Sequence, residues 1–464
     1  MKKSLRKHLV ARNFTGPFGE ITFTPRLVSV DLNGSARSLP CRAPAVDDDH
    51  ERWTSTIWTG KTEKHLATTG FPCTRWSEYL RVELHPRSLH PIPSHAHDDG
   101  EHPLGAFPLA REIWSRGESP WKTDIVDAIR AYGEECDNLQ GFVVLVDADD
   151  GFGGIGSHLL EHLDEEYPRK GCLAIPNAEL PGEDAPGLLL SLNRLLSLHS
   201  VLSSDAAACI PLSLATSWAP RASARVFPSL VYDGRKRYEA AGILATCLES
   251  LTTPFRSRRD KLMDLRRLAD GVCIGSLRLA APRLSFPTRG DDVQSAIGDS
   301  VPLLPSAKEK PLAPPWACHV VARGGLRRPP PRSDASPSSS PRSSESGAEE
   351  RRERLLASAR NVYPGCRVVA TRTEEMITVK APYPRDILRG FPDGSKCPEE
   401  LPCLSLLENG ADCGASLREA IGCVEGIRLA SLPLFASSGL EQDGFGEAVE
   451  ALRTLVDGYS QRDS

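Results

Sequence analysis

The run Leu139-Gln140-Gly141-Phe142-Val143-Val144-Leu145-Val146, continued by Asp149-Asp150-Gly151-Phe152-Gly153-Gly154-Ile155-Gly156 and closed at Glu165-Glu166-Tyr167-Pro168, decides how this chain is read. Five consecutive apolar residues, 142–146, suit a strand buried on both faces of a parallel sheet. The glycines that follow suit a turn whose backbone N–H groups face a phosphate, because glycine leaves room for close approach and reaches positive φ cheaply. Leu159, Leu160, Leu163 and Tyr167 then share one helical face, and Pro168 stops the helix. Upstream, Ile125, Ala128, Ile129, Tyr132 and Cys136 repeat at helical spacing, and 172–175 reads as a short strand. The local order is helix, strand, glycine loop, helix, strand, an α/β pattern.

This order, with Leu-Gln-Gly-Phe ahead of the glycines and Glu-Glu-Tyr-Pro at the helix end, resembles the signature region of tubulins. A second match lies at Phe23-Thr24-Pro25-Arg26-Leu27-Val28-Ser29-Val30-Asp31-Leu32, similar to the tubulin strand that ends beside the nucleotide. Trp76-Ser77-Glu78-Tyr79-Leu80-Arg81-Val82-Glu83-Leu84-His85-Pro86-Arg87-Ser88, Phe227-Pro228-Ser229-Leu230-Val231-Tyr232-Asp233 and Ala241-Gly242-Ile243-Leu244-Ala245-Thr246 resemble segments of the misato family of tubulin-like proteins. The resemblance runs from about residue 22 to about residue 270. It implies a tubulin-like α/β fold, with a doubly wound, mostly parallel sheet and a second, smaller α/β domain. It also places a first strand and glycine loop ahead of Leu27, where this sequence has no counterpart, so an N-terminal strand is expected to be missing.

The expected organisation is a basic, disordered start at 1–21, an α/β domain at 22–256 with loops at 39–56 and 86–120, and a second α/β domain made of 257–326 and 351–464. A disordered Ser/Pro/Arg linker at 327–350 lacks apolar anchors. Helices are expected around Leu192, Leu195, Leu196 and Leu202, over 238–251 ending before Pro254, near 349–360 and near 445–459. Strands are expected at 368–371, 377–380 and 429–435. The start, with Lys2, Lys3, Arg6, Lys7 and Arg12 and no acid through residue 14, also suits a mitochondrial presequence.

A net charge of -5 gives no reason to expect nucleic acid or an anionic membrane as main partner. Thirteen scattered cysteines without a C-x-x-C pair read as reduced thiols of a cytosolic protein. The richest apolar stretch, 188–202, is broken by Asn193, Arg194 and His199, too polar for a transmembrane span.

The candidate site is the glycine loop, Asp150, Gly151, Gly153 and Gly154, with Asp31 added by the tubulin match. GTP with magnesium is the cofactor that match implies. Asp149 and Asp150 stand where tubulins have glycines and Phe152 where they have threonine, so negative charge and bulk oppose a polyphosphate unless magnesium bridges them. Asn33 replaces an acidic residue expected two positions after Asp31. The same glycines match Gly151-x-Gly153-x-x-Gly156 of dinucleotide sites, but the next strand ends in Pro176-Asn177 rather than in an acid for a ribose. His95-x-His97-Asp98-Asp99 with His102 has metal-ligand residue types, set in a proline-rich stretch without rigid support. Arg256, Arg258, Arg259, Lys261, Arg266 and Arg267 read as a solvated helix face, with an acidic or lipid partner as the alternative.

No catalytic residues are nominated. The resemblance implies a non-catalytic or weakly GTP-binding protein of mitochondrial distribution, morphology and inheritance, at the mitochondrial surface or with cytoskeletal proteins, in the cytoplasm or peripheral at the outer membrane. The alternatives are an active GTPase that forms tubulin-like polymers or acts at the spindle, and a metal-dependent hydrolase.

Overall fold

The computed structural model describes residues 11–15, 21–36, 76–79, 84–100, 103–116, 119–182, 187–205, 207–256, 263–288, 293–309, 313–324, 344–380, 382–388 and 398–462. Their contacts fall into two units: residues 1–104, 114–139 and 256–259, and residues 105–113, 140–255 and 260–464.

In the first unit, β1 (Ala11–Thr15) pairs antiparallel with β2 (Ile21–Pro25). The start expected to be disordered thus contains a strand, in keeping with the β-branched and aromatic residues Phe14, Thr15, Ile21 and Phe23; residues 1–10 and 16–20 lie outside the described residues. β3 (Ser29–Asn33) pairs parallel with β4 (Leu89–Ala96), placing Asp31 opposite Pro91. The 86–120 stretch is therefore not a loop. Pro91 and Pro93 are exposed while His90 and Ile92 are buried, an alternation that an edge strand accommodates because proline cannot donate to a ladder. The same stretch continues into helix α1 (Phe107–Ser115), whose residues 107–113 belong to the second unit. Helix α2 (Pro120–Glu134) starts at a proline preset for helical φ and buries Trp121, Ile125, Ala128 and Tyr132 at helical spacing. Tyr132 and Ser88 share a hydrogen bond of 2.8 Å between their hydroxyls.

The second unit opens with β5 (Gly141–Asp147), α3 (Phe152–Glu166), β6 (Gly171–Asn177), α4 (Gly187–Ser203) and β7 (Ala207–Cys209). The strands form a parallel sheet in the order β5-β6-β7. Central β6 is the strand buried on both faces. Its Cys172 and Ala174 enter a core with Leu160, Leu192, Leu195, Phe435 and Tyr459, and its Leu173 and Ile175 enter another with Ile243, Cys247, Leu251 and Leu268. Among the described residues β5 is an edge strand of this sheet, which corrects the expectation of two-sided burial. Phe142 and Val144 pack on the first core, whereas Val143 and Leu145 remain 38% and 60% exposed. An apolar run alone does not separate an edge strand from a central one.

Helix α5 (Arg237–Arg256) runs through Pro254 rather than stopping before it. The proline lies in the last turn, and the hydroxyls of Thr252 and Thr253 bond back to the carbonyls of Leu248 and Glu249 at 2.7 and 2.8 Å. Then follow α6 (Leu265–Val272), β8 (Ala281–Ser285), α7 (Val293–Gly298), β9 (Val301–Pro302), β10 (Ala317–Arg323), α8 (Ser344–Val362), β11 (Arg367–Thr373), β12 (Ile377–Thr378), β13 (Glu400–Leu401), β14 (Cys403–Asn409), α9 (Ala411–Gly422), α10 (Pro433–Ala436) and α11 (Gln442–Gln461). A five-stranded sheet has the order β11-β10-β14-β8-β9, parallel only between β10 and β11.

The expected domain boundary at 256 falls elsewhere. Leu173 and Ile175 of the parallel sheet and Leu407 of the five-stranded sheet share a core with Leu265 and Leu268 of α6, so both sheets belong to one unit. The 429–435 stretch, expected as a strand, is a 3-10 turn (Leu429–Ser431) followed by α10, since Pro433 suits a helix start and breaks a ladder. Residues 39–56 and 327–343 lie outside the described residues, and α8 already begins at Ser344 within the expected linker.

Candidate functional site

β5 ends at Asp147, and α3 is already helical at Phe152, with Gly151 as its N-cap in the right-handed region at φ -68° and ψ -17°. The amide of Gly154 donates to the carbonyl of Gly151 at 2.9 Å. Gly153, Gly154 and Gly156 therefore sit in the first turns of a helix rather than in an open loop, and none of them has positive φ. Packing accounts for their missing side chains. A Cβ on Gly153 would lie 2.1 Å from Ser197 Oγ, one on Gly154 2.2 Å from the carbonyl oxygen of Phe107, and one on Gly156 2.7 Å from a methyl of Val146. The glycines let α1, α4 and β5 approach α3, so their presence is no argument for a phosphate.

The carboxylates are engaged within the protein. Asp150 Oδ1 accepts the amide hydrogen of Phe152 at 2.9 Å, the position an anion takes at a helix start. Asp149 Oδ2 accepts from the amide of Glu179 at 2.8 Å, and its Oδ1 from Arg194 Nε at 2.5 Å. Arg194 Nη2 donates to the carbonyl of Glu179 at 2.8 Å. Neighbouring Asn193 holds the carbonyls of Asp149 and Gly105, each at 2.9 Å, and accepts the amide of Phe107 at 2.9 Å. Asn193 and Arg194 are the residues that sequence reasoning missed. The signal was there: two buried polar side chains in the middle of an apolar helix require partners.

Burial first, and then the neighbouring Asp147, push the Asp150 carboxyl up to about 8, against the pull of the Phe152 amide. The unfolded chain titrates near 4, so the folded state binds this proton more tightly. Stability from this group is full below pH ~4 and is lost as pH rises through the window up to about 8. Asp150→Asn should remove that dependence. Its melting temperature relative to the parent should be more favourable at pH 8 than at pH 5; melts at both values test this, and a difference that does not change with pH would sink it.

Asp150, Gly151, Gly153 and Gly154 are thus brought together in the second unit. Asp31 belongs to the first. There its Oδ2 accepts from the indole of Trp76 at 2.6 Å and its Oδ1 from the amide of Leu32 at 2.7 Å, joining two segments that carried the resemblance. His95 bonds Ser94 at 2.9 Å, and no metal-binding cluster of His, Cys, Asp or Glu occurs among the described residues. Arg266 and Arg267 on α6 lie on an exposed face, paired with Asp270 and Asp264 at 3.7 and 3.9 Å, while 257–262 lie outside the described residues. No helix among the described residues is long and apolar enough to cross a membrane.

This donor set suits a magnesium–GTP complex poorly: the first helix amide is capped by a carboxyl, the Arg194 guanidinium is matched by Asp149, and the glycines are spent on packing.

A family model described as a tubulin domain matches residues 68–257, the stretch that contains this loop. The chain is 28% identical to protein misato homolog 1 of Homo sapiens over 518 aligned residues, covering 96% of this chain and 89% of that protein. It is 27% identical to protein misato homolog 1 of Bos taurus, with the same coverage. It is 28% identical to protein misato of Drosophila melanogaster over 83% of this chain and 71% of that protein.

Proposed function

The chain belongs to the misato family of tubulin-like proteins, and from that premise we propose that it is a non-catalytic member serving mitochondrial distribution, morphology and inheritance. It works from the cytoplasm or the outer mitochondrial surface, through mitochondrial surface or cytoskeletal proteins. The cellular role rests on the family resemblance alone. The molecular part, little or no GTP binding and no GTPase activity, is carried by one observation: the loop's own carboxylates hold the Phe152 amide and Arg194, the groups a phosphate would need.

Titration of the purified chain with a fluorescent GTP analogue, with and without magnesium, should give no saturable binding in the micromolar range and no hydrolysis above a protein-free control. Micromolar, magnesium-dependent binding lost in Asp150→Ala would make the aspartates ligands and replace this reading with an active GTPase. For the cellular role, depletion should redistribute mitochondria, and re-expression of the full chain should restore them. An unchanged network after depletion would refute it.

A further inference from the structure

Two serine–proline steps, Ser336-Pro337 and Ser340-Pro341, stand in the Ser/Pro/Arg segment between Gly324 and α8. Both ends of that segment are anchored at one end of the five-stranded sheet. The amide of Gly324, which follows β10, donates to the carbonyl of Thr373 at 3.0 Å, and the register of β10 on β11 sets Ala322 opposite Arg372. On the return, α8 starts at Ser344 and its Leu355 and Ala359 share a core with Ala322 and Ala370 of the same two strands. Side chains two apart on a strand, or four apart on a helix, share a face. Where the apolar contact ends, Arg372 therefore follows Ala370 and Arg351 precedes Leu355.

Burial first, and then Arg351, hold the half-buried Arg372 guanidinium below its usual range against the pull of Glu374, and Arg354 adds a further like charge. Among the described residues no hydrogen bond or ion pair holds Arg372. Its two companions are held only at the surface: Arg351 Nη2 lies 2.8 Å from Glu374 and Arg354 pairs with Glu350, with all four side chains at least 40% exposed. Exposed pairs of this kind contribute little and exchange partners readily. Three guanidiniums thus gather where the segment leaves and re-enters the folded unit.

We propose that Arg351, Arg354 and Arg372 form the docking site for a phosphoserine of the chain's own 325–343 segment, with Ser340 as the modified residue. A proline-directed protein kinase carries out the step. The Ser340 hydroxyl oxygen bonds to the γ-phosphorus of ATP, the bond to the bridging oxygen breaks to leave ADP, and the hydroxyl proton is released. The product carries close to two negative charges and three acceptor oxygens, which guanidinium forks bind in charge-assisted hydrogen bonds. Ser340 stands four residues before Ser344, a reach of about 13 Å when extended, and Arg351 lies about 10 Å along α8 from Ser344. The phosphate can thus turn back along the helix. Ser336 closes a longer loop at greater entropic cost.

The test follows the anisotropy of a fluorescent peptide of residues 333–345 as full chain is added. The unmodified chain should bind the peptide phosphorylated at Ser340 about tenfold more tightly than the unphosphorylated one. A scrambled phosphopeptide of equal charge should bind no better than the unphosphorylated peptide, and inorganic phosphate at the same concentration should not compete. Arg351→Gln/Arg372→Gln should lose the preference. Arg352→Gln, on the same helix but paired with Glu349 and Glu353, should keep it. If the double variant fails to fold, Arg351→Gln alone should still weaken phosphopeptide binding. Full chain phosphorylated at Ser340 by a proline-directed kinase, with the site mapped by mass spectrometry, should no longer take up the peptide, because its own phosphoserine fills the site. Equal affinity for the two peptides, an equal loss in Arg352→Gln, uptake that persists once Ser340 carries phosphate, or a kinase that leaves Ser340 unmodified would overturn the proposal. Equal binding of the scrambled phosphopeptide, or competition by inorganic phosphate, would make the cluster a general phosphate site and overturn its assignment to this segment.

Discussion

Gly154→Val is expected to prevent the second unit from folding. The added Cβ would sit 2.2 Å from the carbonyl oxygen of Phe107 and 3.1 Å from both Ala110 Cβ and the amide nitrogen of Arg111. These are largely backbone atoms of α1, so no rotamer change relieves the clash, and the two valine methyls enlarge it. Overpacking a core ordinarily costs about 1–3 kcal/mol, and a backbone collision exceeds that range. With domain stability near 5–15 kcal/mol, soluble yield and helical signal should fall together. Gly153→Ala should be milder, because its shortest contact, at 2.1 Å, is to the rotatable hydroxyl of Ser197. Gly446→Ala in α11 meets nothing within 4 Å and should stabilise by about 0.5–1 kcal/mol, the helix-interior difference between the two residues. Circular dichroism melts of the three variants rank them. A Gly154→Val protein that melts like the parent would return the glycines to ligand binding.

Those glycines show where the sequence was legible and where it was not. Helix, strand and helix around residue 141 could be read because apolar spacing at 125, 128 and 132 and at 160 and 163 reports a local period. Whether a strand is central or at an edge depends on what lies beside it, so β5 and β6 looked alike until β6 proved to have neighbours on both sides. A glycine's missing side chain has two physical uses, room for a ligand and room for another helix, and sequence does not distinguish them. Strands β8, β10 and β14 went unread for a related reason. Arg283, His319 and Glu408 interrupt their apolar runs, and each is nevertheless buried. A charged residue in a strand reads as solvent-facing unless its partners are visible, and in these strands they come from distant segments. Asn193 and Arg194 are the same case on a helix. Their partners at Gly105, Asp149 and Glu179 are 88, 44 or 45, and 15 residues away.

Arg283→Met is the sharpest test of such a buried charge. Arg283 donates to the hydroxyl and carbonyl of Ser300 at 2.9 and 2.7 Å, to the carbonyl of Glu309 at 2.6 Å and to that of Lys308 at 3.3 Å. It stitches the 300–309 segment to β8. Glu408 on β14 lies 3.8 Å from its Nε and accepts the hydroxyl hydrogen of Tyr363; burial pushes this carboxyl up while Arg283 pulls it down. Methionine fills much of the volume but leaves the carbonyls of Ser300, Lys308 and Glu309 without the guanidinium donor and Glu408 without its counter-charge, at a cost of about 3 kcal/mol. The melting temperature should fall by roughly 4 °C, because an unfolding entropy of about 2.1 cal/mol/K per residue makes 1 kcal/mol worth about 1.4 °C in a unit of roughly 330 residues. The second variant, Arg283→Met/Glu408→Gln, asks which partner matters. Glutamine keeps an acceptor for Tyr363 and removes the charge. Because the carbonyls of Ser300, Lys308 and Glu309 still lack their donor, while the Ser300 hydroxyl keeps its own bond to the carbonyl of Ile297 at 2.7 Å and the uncompensated carboxyl can neutralise itself by binding a proton, the double variant should stay within about 1 kcal/mol of the single. Recovery to the parent's melting temperature would instead place the whole effect on a stranded carboxylate, and the bonds to Ser300, Lys308 and Glu309 would then contribute nothing measurable to stability.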